Sequence, residues 1–357
     1  MKSICYVGFD IHKKVIAYCV KEADGTVIEE GVLAARRQVL REWARRLGRP
    51  WIGAMEATLF TGWIYDTFLP HAQALKVAHP KMLKAITASK KKNDRVDARK
   101  IADALRADLL PECHMASARI RELRRLLRYR NLVVRQAVTM KNKMAGLLME
   151  VGAEYNKKRL HGKRYFAEFL ESVEEVPESV VGLLRMSRAS VEMFDGAQRQ
   201  LLDALAGDKA LGERVALLRS IPGVGEVTAL TWALEVGDVT RFASRNRLIS
   251  YCGLCSAQRE SAGKTIRGPL SKERNKHLQR VLIEAAKLAP RWNPALAALR
   301  EREVARGDKN RATLAVARRL ACFLLAVDRR GTAFEQGDEP ALAEGRGTGR
   351  TRAVTAA

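Results

Sequence analysis

The stretch SICYVGFDIHKKVIAYCVKEADGTVIEEG, residues 3–31, decides the fold. Its apolar residues fall in three short runs, 3–10, 15–20 and 26–31. The last two are joined through Asp24–Gly25, a dipeptide suited to tight hairpins. The pattern predicts an antiparallel meander. Outward from it, residues 37–47 place Val39, Leu40, Trp43 and Leu47 at helical spacing. A strand WIGAME (51–56), a helix around 60–69 and a strand at 75–78, closed by His79–Pro80, complete an α/β layout. Two of these strands end in an acid, Asp10 and Glu56.

Helices dominate the remainder of the chain. Residues 94–106 present Val96, Ile101, Ala104 and Leu105 as one apolar face, preceded by Lys90, Lys91 and Lys92. Residues 117–149 read as one long amphipathic helix with near-heptad apolar spacing through Ile120, Leu123, Leu127, Val134, Val138, Met144 and Leu148. Between positions 119 and 143 it carries nine Lys/Arg and the single acid Glu122. Such a helix can pair in a coiled coil and turn a basic face to phosphates. Two more helices are predicted in 160–206 and a third ending at Ser220. Others are predicted at 226–236, 275–288 and 309–328, with 256–274 read as a polar loop and the tail from Gln336 as disordered. The domains predicted are 1–115, a helical region 116–206, a mainly helical 207–330 and the tail 331–357.

Composition narrows the class. The chain has 357 residues, and 64 Lys+Arg against 40 Asp+Glu give a net charge of +24. That excess favours a polyanionic partner, with nucleic acid the leading one. Hydrophobic content of 47% excludes a wholly disordered chain. No apolar run reaches the ~18–20 residues that span a bilayer, and the N-terminus does not read as a signal peptide. A soluble, cytoplasmic protein is expected. Six cysteines include one C-x-x-C, Cys252 and Cys255, with no second pair to complete a zinc site. Neither zinc nor a disulfide framework is expected.

The acids carry the chemistry. Asp94 and Asp97 are three apart and share a helix face. Together with Asp10 and Glu56 they can converge on one sheet edge, where four carboxylates repel unless cations neutralise them. Hard oxygen ligands favour Mg²⁺ or Mn²⁺, and two such ions can clamp a scissile phosphate. Singly, each acid reads as a solvated surface group. Jointly, in this order of elements, they predict a ribonuclease-H-like metal site.

The segments GFDIHKK (8–14), AMEAT (54–58) and KKNDRVDARKIADAL (91–105) resemble the D-E-D-D set of the insertion-sequence transposases called the IS one-ten family. The family's N-terminal domain is similar to Holliday-junction resolvases. Its four acids fall by motif on Asp10, Glu56, Asp94 and Asp97. SIPGVGEVTALTWALEVGD (220–238) resembles the family's I-P-G-I-G segment, and QRESAGKTIRGPLSK (258–272) its serine block. The resemblance places the nucleophile at Ser261. The fold it implies is an α/β resolvase-like domain, a long helical coiled-coil segment and a mainly α serine domain.

The resemblance also implies a DNA recombinase that works through a phosphoserine link, with a structured non-coding guide RNA pairing donor and target DNA. It implies dimers that join into a tetramer, with Ser261 of one subunit completing the acid site of another. The candidate nucleic-acid contacts are Lys90, Lys91, Lys92, Arg95, Arg99, Arg124, Arg128 and Arg135, the hairpin glycines Gly223 and Gly225, and Arg267 and Lys272 beside the serine. Two other readings remain open. One is a resolvase or nuclease using only the acids and water; the other is a non-enzymatic nucleic-acid-binding protein.

Overall fold

The computed structural model describes residues 3–87, 93–173, 176–261 and 264–335. The tail from Gln336, read as disordered, lies outside the described residues, as do Lys90, Lys91 and Lys92. The chain divides into two compact units, Met1–Glu122 and Leu123–Ala357.

In the first unit, β1 (Cys5–Ile11), β2 (Val15–Lys21) and β3 (Val27–Ala34) form the antiparallel meander. After α1 (Arg37–Arg46), β4 (Trp51–Glu56) pairs parallel with β1. Then α2 (Thr61–Phe68) leads to β5 (Ala74–Ala78), parallel to β4. The strand order is therefore β3-β2-β1-β4-β5. Two helices come next, α3 (Pro80–Thr87) and α4 (Asp94–Arg106).

Alternation along the strands assigns the two faces of this sheet. Val7 and Phe9 of β1, Ile16, Tyr18 and Val20 of β2, and Trp51 and Met55 of β4 enter the core with Trp43 of α1 and Phe68 of α2. Phe9 stacks on Phe68, with ring centroids 4.6 Å apart, and Trp43 and Trp51 close edge-on around them. The opposite face belongs to α4. There Ala17 and Cys19 meet Ala98, while Ala54 and Ala78 meet Ile101 and Leu105.

Gly8 sits on that second face, and its glycine is required. A Cβ there would run into the carbonyl of Ala98 and the amide of Ala102, so α4 lies directly on the β1 backbone. Two ion pairs hold α4 as well. Lys21 Nζ reaches both Asp103 carboxylate oxygens at 2.7 Å, and Arg99 makes a two-pronged bridge to Glu30 at 2.6 Å. The seating of α4 fixes where its N-terminal acids lie.

The helix α5 (Ala118–Glu150) begins in the first unit's residues and ends in the second's. Its C-terminal Met144, Leu147 and Leu148 pack with Phe166 and Phe169 of α6 (Lys163–Ser172) and Leu184 and Val191 of α7 (Glu178–Ala206). Then come α8 (Lys209–Arg219), α9 (Glu226–Val236) and α10 (Arg245–Tyr251). From Thr228 onward every residue of α9 is buried, the carboxylate Glu235 among them.

The segment 256–274, read from sequence as a loop, instead contains a hairpin. Strand β6 (Ser256–Ser261) pairs antiparallel with β7 (Lys264–Leu270). The ribbon has no buried apolar face to announce it: SAQRES is polar, and Ile266 of β7 is 67% exposed. Helices α11 (Lys276–Leu288), α12 (Pro294–Ala305) and α13 (Lys309–Arg330) complete the unit. Among the described residues, no helix is long and apolar enough to cross a membrane.

Candidate active site

Asp10 and Glu56 share the sheet face covered by α4. Phe9 pairs with Met55 in the parallel β1–β4 register, so each acid is the next residue on its own strand. Asp94 and Asp97 occupy the first turn of α4. There the side chain of Asn93 caps the helix by accepting from the Arg95 amide at 3.0 Å. The positive end of the helix dipole favours carboxylates in that turn.

His12 completes the cluster. It lies two residues past Asp10, just beyond the end of β1. Its Nε2 lies 3.2 Å from Asp10 Oδ2 and 3.5 Å from Asp94 Oδ1. Asp10, His12 and Asp94 each offer a ligand atom, all within 4.8 Å of one another. The Asp10 side chain is only 15% exposed, whereas those of His12 and Asp94 are about half exposed. Burial pushes the Asp10 carboxyl above its ordinary range. His12 opposes the rise by charge and hydrogen bond, and the charges of Asp94 and Asp97 add to it. A half-buried carboxylate with acidic neighbours and a histidine beside it is a donor set suited to a divalent cation. His12 is absent from the sequence reading, although its place two residues beyond a strand-end acid is the signal that finds it.

Glu56 is half-buried, and its backbone carbonyl accepts from the Thr61 hydroxyl at 2.9 Å. Ser261 ends β6, opposite Lys264 in the register, and is exposed. The acids thus belong to the first unit and Ser261 to the second.

The candidate basic residues fall into different environments. Arg95 and Lys272 are exposed. Arg99 is engaged by Glu30. Arg124 and Arg128 turn inward: Arg124 donates to the carbonyls of Leu234 and Glu235, and Arg128 grips the fully buried Glu235 carboxylate at 2.7 and 2.8 Å. These two residues therefore have a structural use that their basic helix face does not announce. Arg135 is exposed. Arg267 lies in β7, and its side chain is outside the described residues.

The hairpin glycines differ from each other. Gly223 has φ +92°, and a Cβ there would lie 2.6 Å from Ala289 Cα, so this glycine serves a turn and a close approach. Gly225 caps α9 with open space around it and no side chain to accept from the helix amides.

Glu235 is the second buried centre. Burial alone raises a carboxyl's pKa; here the hydrogen bonds of Arg128 and Asn275 and the charges of Arg128 and Arg124 outweigh it and hold Glu235 below its ordinary value. Asn275 Nδ2 donates to Glu235 at 2.9 Å while its Oδ1 caps α11, and Tyr251 donates its hydroxyl to the Glu235 carbonyl. Four helices, α5, α9, α10 and α11, meet here. The Ser261 hairpin is spliced between the last two.

Two family models match the chain in sequence. One, a transposase model for the DEDD domain of IS110 elements, covers residues 7–152. The other, the transposase IS116/IS110/IS902 family, covers 215–301. The chain belongs to the IS110 family of transposases. It is 27% identical to the transposase for insertion sequence element IS1111A of Coxiella burnetii over 94% of this chain and 93% of that one. It is 25% identical to the transposase for insertion sequence element IS1328 of Yersinia enterocolitica, over 94% and 100%. A probable family 20 transposase of Pseudomonas aeruginosa is 23% identical over 93% and 98%.

Membership makes this transposase a DNA-cutting and rejoining enzyme and implies a divalent metal. The cluster of Asp10, His12 and Asp94 has donor atoms of the right kind and spacing to hold one. The 7–152 match embraces all four acids, and the 215–301 match embraces the IPGVG hairpin and Ser261.

Proposed function

We propose that this transposase recombines DNA by transesterification at Ser261, with Asp10, Glu56, Asp94 and Asp97 holding Mg²⁺ or Mn²⁺ against the scissile phosphate. The observation that supports the reading is the approach of the helix-start acids Asp94 and Asp97 to Asp10, whose proton affinity is raised by burial and by these neighbours. A bound divalent ion supplies charge neutralisation of the phosphate and lowers the pKa of a coordinated hydroxyl. The acids' own work is to fix ligand positions. Asp10 and Glu56 do so from neighbouring strand ends, and Asp94 from a helix that Gly8 lets down onto the sheet.

Ser261 Oγ attacks phosphorus, and a P–O bond to the sugar breaks. The serine proton leaves, and the departing sugar oxygen takes one up. A phosphoserine and a free sugar hydroxyl result, and attack by a hydroxyl of the exchanged strand reverses the step. One phosphoester replaces another throughout, so no nucleotide hydrolysis is needed. Arg267 and Lys272 follow the serine in the same block and are assigned to the phosphate oxygens.

The recombinase is further read as guided by a structured non-coding RNA and as acting in an oligomer of at least a dimer, with α5 as its coiled-coil element. The +24 charge supports two polyanionic partners. Exposed apolar side chains at Met149 of α5 and at Met186 and Met193 of α7 support helix pairing between copies.

The test is covalent trapping on suicide DNA substrates. Wild type forms a protein–DNA adduct resistant to denaturant, and Ser261→Ala forms none yet still binds DNA. Hydrolysed ends without an adduct would instead establish the nuclease reading. Loss of DNA joining after ribonuclease treatment, restored by adding back the co-purified RNA, tests the guide.

A further inference from the structure

A cleft of about 440 Å³ opens between α5, α9 and α11, all in the second unit. Arg130 and Arg135 of α5 and Arg280 of α11 line it, against the single carboxylate Glu284. Among the described residues none of these arginines has an ion pair, and Arg280 lies one helical turn from Glu284 without bridging to it. Arg130 is the most telling. Its Nε is buried with no hydrogen-bond partner, and only its Nη1 is engaged, by the Asn131 side chain at 3.1 Å. Burial lowers the Arg130 pKa and the charge of Arg280 lowers it further, while the charge of Glu226 offsets part of this.

An unpaired buried donor is costly unless something accepts from it. The guanidinium fork matches a phosphate oxygen pair. The first turn of α9 contributes Val227 to the same wall, and its cap Gly225 offers its amides no side-chain acceptor. Glu226 in the same turn partly meets the helix's positive end, so the preference of the cleft for an anion rests on its arginines.

We propose that this cleft seats a backbone phosphate of a nucleic acid, at a site separate from the acid cluster of the first unit. The inference rests on the chain's being a nucleic-acid enzyme and not on the serine chemistry. Arg135 and Arg280 are exposed, so an extended polymer can reach them. Farther along α5, the exposed Lys143 adds a further cation, while Lys141 pairs with Asp195. The shared ligand chemistry is the phosphodiester, which DNA and RNA both provide.

The experiment uses full-length protein in EDTA, so that the metal site makes no contribution. Fluorescence anisotropy follows a labelled DNA duplex and an RNA duplex of the same sequence over a salt series. Inorganic phosphate is the third probe, added as competitor. Arg135→Ala and Arg280→Ala change exposed side chains, and Arg130→Ala changes a half-buried one; circular dichroism verifies that each folds. Removing one arginine that neutralises a phosphate is expected to weaken binding and to reduce the slope of log K against log salt by about 0.9.

Arg164→Ala is the contrast, because this exposed arginine pairs with Glu168 and does not line the cleft, and it is expected to keep the wild-type slope. A smaller slope with DNA alone, with RNA alone or with both supports the proposal and identifies the source of the phosphate. Wild-type affinity and slope for both duplexes in a folded Arg135→Ala/Arg280→Ala double variant would overturn it. So would a defect confined to inorganic phosphate. Strand exchange is measured separately, so failure here leaves the Ser261 reading standing, and the reverse holds too.

Discussion

Asp10 joins local sequence to chemistry most directly. It lies on β1 with its side chain on the α4 face, and its carboxyl is pushed above the ordinary 3.8 by burial first and by Asp94 and Asp97 next. The folded protein thus binds this proton more tightly than the unfolded chain does. Asp10 contributes stability at pH values below its unfolded pKa, and that contribution is lost as pH rises through the higher folded value. At pH 7 the bare carboxylate is a net cost. Asp10→Asn is therefore expected to raise the melting temperature slightly in EDTA and to abolish the rise that Mn²⁺ gives wild type. Differential scanning fluorimetry with and without Mn²⁺ checks both, and a metal-induced shift retained by Asp10→Asn would remove Asp10 from the ligand set. The acids were legible because strand ends and an i, i+3 spacing can be read along a chain. His12 has the same legible spacing but a residue type more often found as an ordinary surface side chain.

At the scale of elements, the site depends on how closely α4 meets β1. Gly8→Ala places a methyl against the Ala98 carbonyl and the Ala102 amide, both backbone atoms that cannot swing aside. Overpacking of this kind costs about 1–3 kcal/mol. The expected outcome is a lower denaturation midpoint together with weaker Mn²⁺ binding, since α4 carries Asp94. Unchanged stability would mean that the helix shifts freely.

The second unit has its own joint in Glu235. Replacing it by Gln leaves Arg128 without its charge partner, at an expected cost on the order of 2–3 kcal/mol, reduced from a fully buried pair because Arg128 is half exposed. The depressed Glu235 pKa adds a pH signature. Its stabilisation is present above the unfolded pKa and is lost as pH falls through the lower folded one. Urea midpoints of Glu235→Gln should consequently fall less than wild type's between pH 5 and pH 3, about the range where a carboxylate titrates.

The sheet strands and long helices were legible from period-2 and period-3.6 patterns. The β6–β7 hairpin was not, because its residues alternate without an apolar side. Helix α12 was missed because its Pro294 reads as a breaker, whereas after the Asn293 cap it is a favoured first residue. The inward use of Arg124 and Arg128 depends on a partner more than a hundred residues away, which no local pattern reports.

At the scale of the whole molecule, two compact units with separate cores predict separate responses to denaturant and to metal. The cysteines provide site-specific reporters. All six are free. Cys5 and Cys19 are buried in the first unit's sheet, and Cys19 lies beneath Ala98 of α4. Cys252 and Cys322 are buried in the second unit, and burial pushes the Cys252 thiol up to about 12. Alkylation requires thiolate and access, so each buried thiol stays silent until its own surroundings open. Brief alkylation across a urea series, read by peptide mass, then gives one unfolding curve for each unit. Metal that binds only the folded acid cluster stabilises its unit by RT ln(1 + [L]/Kd), about 2.7 kcal/mol at a hundredfold excess over Kd. Mn²⁺ is accordingly expected to move the Cys5 and Cys19 curves to higher urea and to leave those of Cys252 and Cys322 in place. A common shift of all four would show one cooperative unit or a metal site outside the acids. A shift of the second pair alone would place the metal in the wrong unit for Asp10 chemistry.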